Sequence, residues 1–215
     1  MTSGDPCGGS PPLCGSVAPD KSDLRPLGRL LIGCNEASEE RSVSASSIPP
    51  LIVMGVSGSG KSTIGESIAR AFGIEFIDGD DLHPRANKEK MAAGHPLDDE
   101  DRAPWLEIIA LRIGAEIAEG RPIVVACSAL KRRYRDQLIA YAPETVFVHL
   151  VGSRDLIAER QRGRRHEYMP DTLLASQFET LEPLGDDERG IVVDVRQSPD
   201  EIVDEVRTRL AELTG

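Results

Sequence analysis

The chain has 215 residues, 40% of them hydrophobic, which is enough for one compact α/β domain with a continuous core. A formal charge of −11 argues against a nucleic-acid or anionic-membrane partner, because both demand a cationic footprint. Cys7, Cys14, Cys34 and Cys127 form no C-x-x-C pair, no apolar run reaches about 18 residues, and the N-terminus carries Asp5 and prolines where a signal peptide needs basic and apolar stretches, so a disulfide framework, a zinc site and a membrane span are excluded and a cytoplasmic location is expected.

Residues 1–47 are rich in Gly, Pro and Ser, and their only apolar cluster is 27–32, too short to build a core. They are expected to be a disordered extension, with a start codon misassigned upstream as an equally plain reading. From Ile48 onward, short β-branched runs alternate with helical periods, the pattern of a parallel sheet with crossover helices. The predicted strands are 51–54, 74–77, 122–126, 145–150 and 190–193. Helices are predicted near 61–72, 101–119, 130–140 and 153–162. A last helix is marked by apolar Ile202, Val203, Val206, Leu210 and Leu213, whose spacing forms one face for the sheet.

Between the first strand and the first helix lies Gly55-Val56-Ser57-Gly58-Ser59-Gly60-Lys61-Ser62, a complete G-x-x-x-x-G-K-[ST] phosphate loop, followed by Thr63. Its glycines let backbone N–H groups turn inward around phosphate oxygens, and the following helix points its positive end at them. Lys61 is expected to reach the β- and γ-phosphates of ATP, and Ser62 to offer its hydroxyl to Mg2+. A GTPase needs a late N-K-x-D, and the chain's Asn87-Lys88 is early and followed by Glu89-Lys90. A motor ATPase needs an apolar strand ending in Asp, and the third strand ends Ala126-Cys127-Ser128. Small-molecule kinases remain.

The second strand runs into Asp78-Gly79-Asp80, which puts two carboxylates at the ligand-binding edge of the sheet. Asp78 is assigned to metal support and Asp80 to orienting or deprotonating the acceptor hydroxyl. His83 follows as a hydroxyl partner. Arg102 stands at a helix start where a guanidinium can clamp a carboxylate bidentately, unless it pairs with Asp98, Asp99 or Asp101. Lys131 and Arg135, one helical turn apart, are expected to project together toward the acceptor. Trp105 reads as core more than as a ligand platform.

These residues carry a family resemblance over nearly all of 50–215. The chain resembles the bacterial-type gluconokinases, relatives of shikimate kinase. The likeness rests on Met54 with the phosphate loop, on Asp78-Gly79-Asp80-Asp81-Leu82-His83-Pro84 with Asn87, Lys90 and Met91, and on Pro96-Leu97, Asp99 to Arg102 and Pro104-Trp105-Leu106. It continues through Cys127-Ser128-Ala129-Leu130-Lys131, Tyr134-Arg135-Asp136, Ser176-Gln177-Phe178 and Leu181-Glu182-Pro183. The resemblance implies a three-layer α/β P-loop kinase fold, a five-stranded parallel sheet of order 2-3-1-4-5 and a mobile lid. It implies ATP-dependent phosphorylation of D-gluconate to 6-phospho-D-gluconate, feeding the pentose phosphate route, and a homodimer by analogy. The arginine-rich stretch Arg160 to His166 corresponds to the lid, with Arg162 taken as the catalytic candidate although the arginine that reaches the phosphate stays open. Its Glu167-Tyr168-Met169 departs from the His-Phe-Met form of some members. Gln177, after the lid, is expected to contact substrate hydroxyls or lid backbone, and Gln197-Ser198-Pro199 resembles an adenine-side loop. Kinases of shikimate or another small acid, and a non-catalytic nucleotide sensor, are the alternatives.

Overall fold

The computed structural model describes residues 48–162 and 171–214. The proposed disordered extension, residues 1–47, and residues 163–166 of the proposed lid 160–166 lie outside them. Five strands, β1 (Leu51–Met54), β2 (Glu75–Asp78), β3 (Ile123–Ala126), β4 (Val146–Val151) and β5 (Gly190–Asp194), form one all-parallel sheet in the order β2-β3-β1-β4-β5. The helices are α1 (Lys61–Phe72), α2 (Arg85–Ala92), α3 (Asp99–Ala118), α4 (Arg132–Leu138), α5 (Arg154–Arg162), α6 (Asp171–Thr180) and α7 (Pro199–Thr214).

A parallel strand buried on both faces must be apolar throughout, and β1 reads Leu-Ile-Val-Met with every residue buried. Its alternation divides the core into two. Leu51 and Val53 join Ile64 and Ile68 of α1 and Ile202, Val206 and Leu210 of α7 on one face. Ile52 and Met54 join Trp105, Leu106, Ile109 and Ile113 of α3 and Leu138 of α4 on the other. The apolar stripe read from the sequence of α7 is therefore its sheet-facing side, except that Leu213 is 42% exposed.

Helix α3 starts two residues before its predicted position because Asp98 and Asp101 form a capping box, each side chain accepting from the other's backbone N–H at 2.9 Å. Helix α2 was not predicted. Only Asn87 of it is buried, so it has no apolar period to read. Helix α4 is shorter than expected: Ala129 takes a left-handed φ of 44° and Lys131 is the N-cap, which holds the preceding residues out of the helix.

That turn depends on Arg135. Its guanidinium is 1% exposed and donates from Nε and Nη2 to the Glu188 carboxylate at 2.6 and 2.9 Å. It also donates to the carbonyls of Ala129, Leu130, Glu182 and Pro183 at 3.1–3.4 Å. Burial works against ionised Glu188, but these bonds outweigh it and hold the carboxyl below its ordinary range. The group therefore clamps the β3–α4 turn to the segment leading into β5. Removing one partner leaves a buried charge uncompensated, so Glu188→Leu should cost about 3–5 kcal/mol of unfolding free energy, read from urea midpoints. Because the native pKa is depressed, the pair's contribution is present above the unfolded value of about 4.3 and lost as pH falls through the native one. The midpoint difference between wild type and variant should accordingly shrink in acid.

Candidate active site

The phosphate loop joins β1 to α1 at the C-terminal edge of the sheet. Gly58 and Gly60 have φ of 80° and 96°, and a Cβ on Gly58 would stand 2.5 Å from Gln161 Cγ. Gly60 is the N-cap of α1 without any side-chain cap, so the first N–H groups of the helix face the loop. Lys61 folds back, its Nζ donating to Val56 O at 3.2 Å. A cleft of about 320 Å³ opens beside Gly58, Ser59, Gly60 and Thr63 and is closed on its far side by Arg160, Val195, Gln197 and Pro199. Arg160 is fixed there by a 2.6 Å bond to Val195 O. The loop at 197–199 thus borders the same cleft as the phosphate loop.

The strand order brings the acceptor side next to this loop. Chain direction runs from β1 through α1 to β2, skipping the position that β3 occupies between them, and such a switch point leaves a crevice at the strand ends. Ser62 Oγ donates to Asp78 Oδ2 at 2.6 Å across it. Asp78 also caps the short 3-10 turn Gly79–Leu82 by accepting from Asp80 N at 3.0 Å. Asp78 is therefore turned to Ser62, and Asp80 lies one turn further out, with its Oδ1 3.9 Å from His83 Nε2. Cys127, at the end of β3, is buried among these charges, and burial foremost pushes its thiol up to about 12, so it is a packing residue and no nucleophile.

His83 is 8% exposed and stacks on Trp105 with ring centroids 4.1 Å apart and planes inclined by 14°. Trp105 Nε1 donates to Gly79 O at 2.7 Å, so the one tryptophan is core, as its sequence reading favoured, yet it also braces the carboxylate turn. Burial, then the charges of Arg102 and Lys88, lower the His83 pKa to about 4 and keep the ring neutral at neutral pH. Arg102 donates through Nη1 to Leu97 O and, at 3.5 Å, to Asp98 O, and among the described residues it makes no ion pair. The carboxylates that the sequence offered it are used elsewhere. Asp98 and Asp101 hold Lys90, while Asp99 takes Lys131 at 2.9 Å together with Arg133 and the Tyr134 hydroxyl.

One expectation needs correction. Lys131 and Arg135 do not project together. Lys131 is outside the helix as its N-cap and turns to Asp99, whereas Arg135 is buried in the clamp with Glu188 and is no substrate ligand. Arg162 closes α5 and donates from Nε to Ala158 O of its own helix at 3.3 Å, so in this structure it turns back along the helix instead of toward the phosphate loop. Gln177, expected at substrate hydroxyls or lid backbone, meets the phosphate loop in this structure: its Oε1 accepts from Ser57 N at 2.7 Å. Asn87, which contacts His83, had no chemical signal of its own beyond its place in the resemblance.

Comparison with known proteins gives this geometry its family. Residues 51–184 match the model of a P-loop family described as an AAA domain. The chain is 45% identical over 156 residues to a gluconokinase of Gluconobacter oxydans, spanning 73% of this chain and 88% of that protein. It is 42% identical over 153 residues to the thermoresistant gluconokinase of Escherichia coli, spanning 71% of this chain and 87% of that protein. The crystal structure of a gluconokinase from Sinorhizobium meliloti superposes with a TM-score of 0.71 at 49% identity, covering 77% of this chain and 93% of that one. The chain belongs to the gluconokinase family. In this family member the P-loop and the Asp78-Gly79-Asp80 turn are one unit joined by Ser62. Gly79 allows it, since a Cβ there would lie 2.5 Å from the backbone oxygen of Ala126. Gly79→Ala should displace both carboxylates and lower kcat about 10²-fold while nucleotide binding persists, measured by ADP release beside nucleotide titration. Unchanged turnover would mean that the turn is not held where the chemistry needs it.

Proposed function

We propose that the chain transfers the terminal phosphoryl group of ATP to the 6-hydroxyl of D-gluconate, giving 6-phospho-D-gluconate and ADP. The observation that carries this reading is the 2.6 Å bond from Ser62 Oγ to Asp78 Oδ2, which sets a phosphate cradle and an acidic acceptor turn side by side in a chain of this family. Phosphoryl transfer asks little covalent chemistry of the protein and much positioning, and the residues fall into those roles. The backbone N–H groups of Gly58 and of residues 60–63, with Lys61, hold the phosphates, while Ser59 N is spent on Val56 O at 3.2 Å within the loop. Asp80 orients the acceptor hydroxyl and takes its proton. Arg102, whose guanidinium among the described residues meets backbone carbonyls and no carboxylate, is left to pair with the gluconate carboxylate.

Magnesium fits the donor set, because a hydroxyl and a single carboxylate complement phosphate oxygens and water in the usual coordination of this ion. Ser62 and Asp78 would hold it, Asp78 directly or through water, and when bound it supplies charge neutralisation at the transferring phosphate. Among the described residues no cluster of three or more His, Cys, Asp or Glu side chains offers a protein-only cage for another metal.

The reading includes closure of the arginine-rich stretch 160–166 over ATP, supported by Arg160 at the nucleotide cleft, with Arg162 leaving its own helix to reach the phosphate. It also includes a disordered extension at 1–47, supported by composition, and a cytoplasmic homodimer, supported by the resemblance alone. A charge of −11 supports the absence of nucleic-acid and membrane partners, and among the described residues no helix is long and apolar enough to cross a membrane.

The two carboxylates separate experimentally. Asp80→Asn keeps size and most hydrogen bonding but cannot take the proton, so gluconate-dependent kcat should fall by about 10²–10⁴ with nucleotide affinity retained and little recovery at high magnesium. Asp78→Asn should instead weaken apparent magnesium affinity and recover in part as the metal is raised. Full rescue of Asp80→Asn without rescue of Asp78→Asn would reverse the roles, and near-wild-type rates in both would remove the pair from the chemistry.

A further inference from the structure

Asn87 is 4% exposed, and its amide nitrogen has two neighbours: the backbone oxygen of Asp101 at 2.8 Å and His83 Nδ1 at 3.3 Å. A carbonyl oxygen only accepts, so the amide must turn its NH2 group to Asp101. One hydrogen then remains for Nδ1, and two N–H donors cannot face each other in a closed site. Nδ1 therefore presents its lone pair, and the ring proton sits on Nε2. The Trp105 stack fixes the ring plane, and the capping box that starts α3 fixes the Asp101 backbone to which Asn87 is anchored.

The atom so protonated is the one that faces the acceptor turn. His83 Nε2 and Asp80 Oδ1 are 3.9 Å apart, too far for a direct hydrogen bond. An oxygen about 2.8 Å from each would complete a triangle with an apex angle of roughly 90°, which an O–H bond and a lone pair on one hydroxyl can meet. A hydroxyl satisfies both sides at once, accepting from Nε2–H and donating to the carboxylate. A carboxylate oxygen brings no proton for Asp80 and would be repelled there.

We infer that Asn87 is a positioning residue that locks His83 in its Nε2–H tautomer, making His83 and Asp80 a donor and acceptor pair that selects the hydroxyl end of the acceptor. This rests on the reading of Asp80 as the group that takes the acceptor proton. The carboxylate end of the same molecule is thereby left to Arg102, and His83 acts as a neutral donor, not as a base. The depressed His83 pKa agrees, since a ring that stays neutral at neutral pH keeps one fixed proton.

Long-range proton–nitrogen NMR of the histidine-labelled full chain reads the tautomer directly, with His83→Gln assigning the ring among the four histidines. Wild-type His83 should show an unprotonated Nδ1 and a protonated Nε2 at neutral pH. Asn87→Leu should shift the ring to a mixture of tautomers and lower gluconate-dependent kcat about 10- to 100-fold, the loss of one buried hydrogen bond. His83→Gln, whose amide can place an N–H near the Nε2 position, should retain clearly more activity than His83→Leu. An Nδ1–H tautomer in the wild type would overturn the inference, and so would full activity in His83→Leu. The role of Asp80 is judged separately by its own Asn variant, whose rate has no bearing on the wild-type histidine spectrum.

Discussion

The hydrogen bond between Ser62 and Asp78 joins the first turn of α1 to the far end of β2, so that the loop after β1 and the turn after β2 are tied together although β1 and β2 are not neighbours in the sheet. It exists because β3 lies between β1 and β2, so the loops after β1 and β2 converge on one crevice while the end of β3 forms its floor. The consequences run outward from that point. Gly79 must lack a side chain because the turn presses on the Ala126 carbonyl, and Cys127 is inert because burial first, and then the charges of Asp80 and Asp78, hold its thiol protonated against the opposing charge of Lys61. The first N–H groups of α1 stay available for phosphate because no side chain caps the helix.

A second constraint is dryness on the acceptor side. His83, Asn87 and Trp105 are all buried, and their polar groups are held by partners whose chemistry leaves little choice: a carbonyl for the indole, a carbonyl and a ring nitrogen for the amide. Buried polar groups of this kind are costly unless fully satisfied, and fully satisfied they fix orientation. The acceptor turn is thus braced by α2 and α3 from behind, while Asp78 at its start is turned to Ser62 beside the phosphate loop.

The sheet was legible in the sequence because five apolar β-branched runs are separated by helical periods, and the phosphate loop because glycine, lysine and serine at fixed spacing have little other purpose. Strand order came from resemblance, since no local pattern encodes which strands are adjacent. Helix α2 escaped because a helix burying a single asparagine carries no apolar period. Lys131 and Arg135 were misread together for another reason: spacing of four places residues on one face only inside a helix, and the left-handed Ala129 moves the helix start beyond Lys131. Arg135 shows the limit of charge as a signal. A basic residue beside a ligand site and one clamping backbone carbonyls look alike until Glu188, 53 residues away, is seen against it.

The family assignment and the site geometry meet in one claim, that this crevice places the terminal hydroxyl of an open-chain sugar acid in line with ATP. The measurement that tests it most directly is ATP turnover with D-gluconate, shikimate and a panel of other sugar acids, with the phosphorylated carbon of each product located by proton–phosphorus NMR. Phosphate on carbon 6 of gluconate is expected, with a kcat/KM for gluconate about 10²-fold or more above the other acids, since a site built to bond particular hydroxyls leaves buried groups unpaired with the wrong one. A preference for shikimate, phosphate on another carbon, or ADP release indifferent to every acid would contradict it.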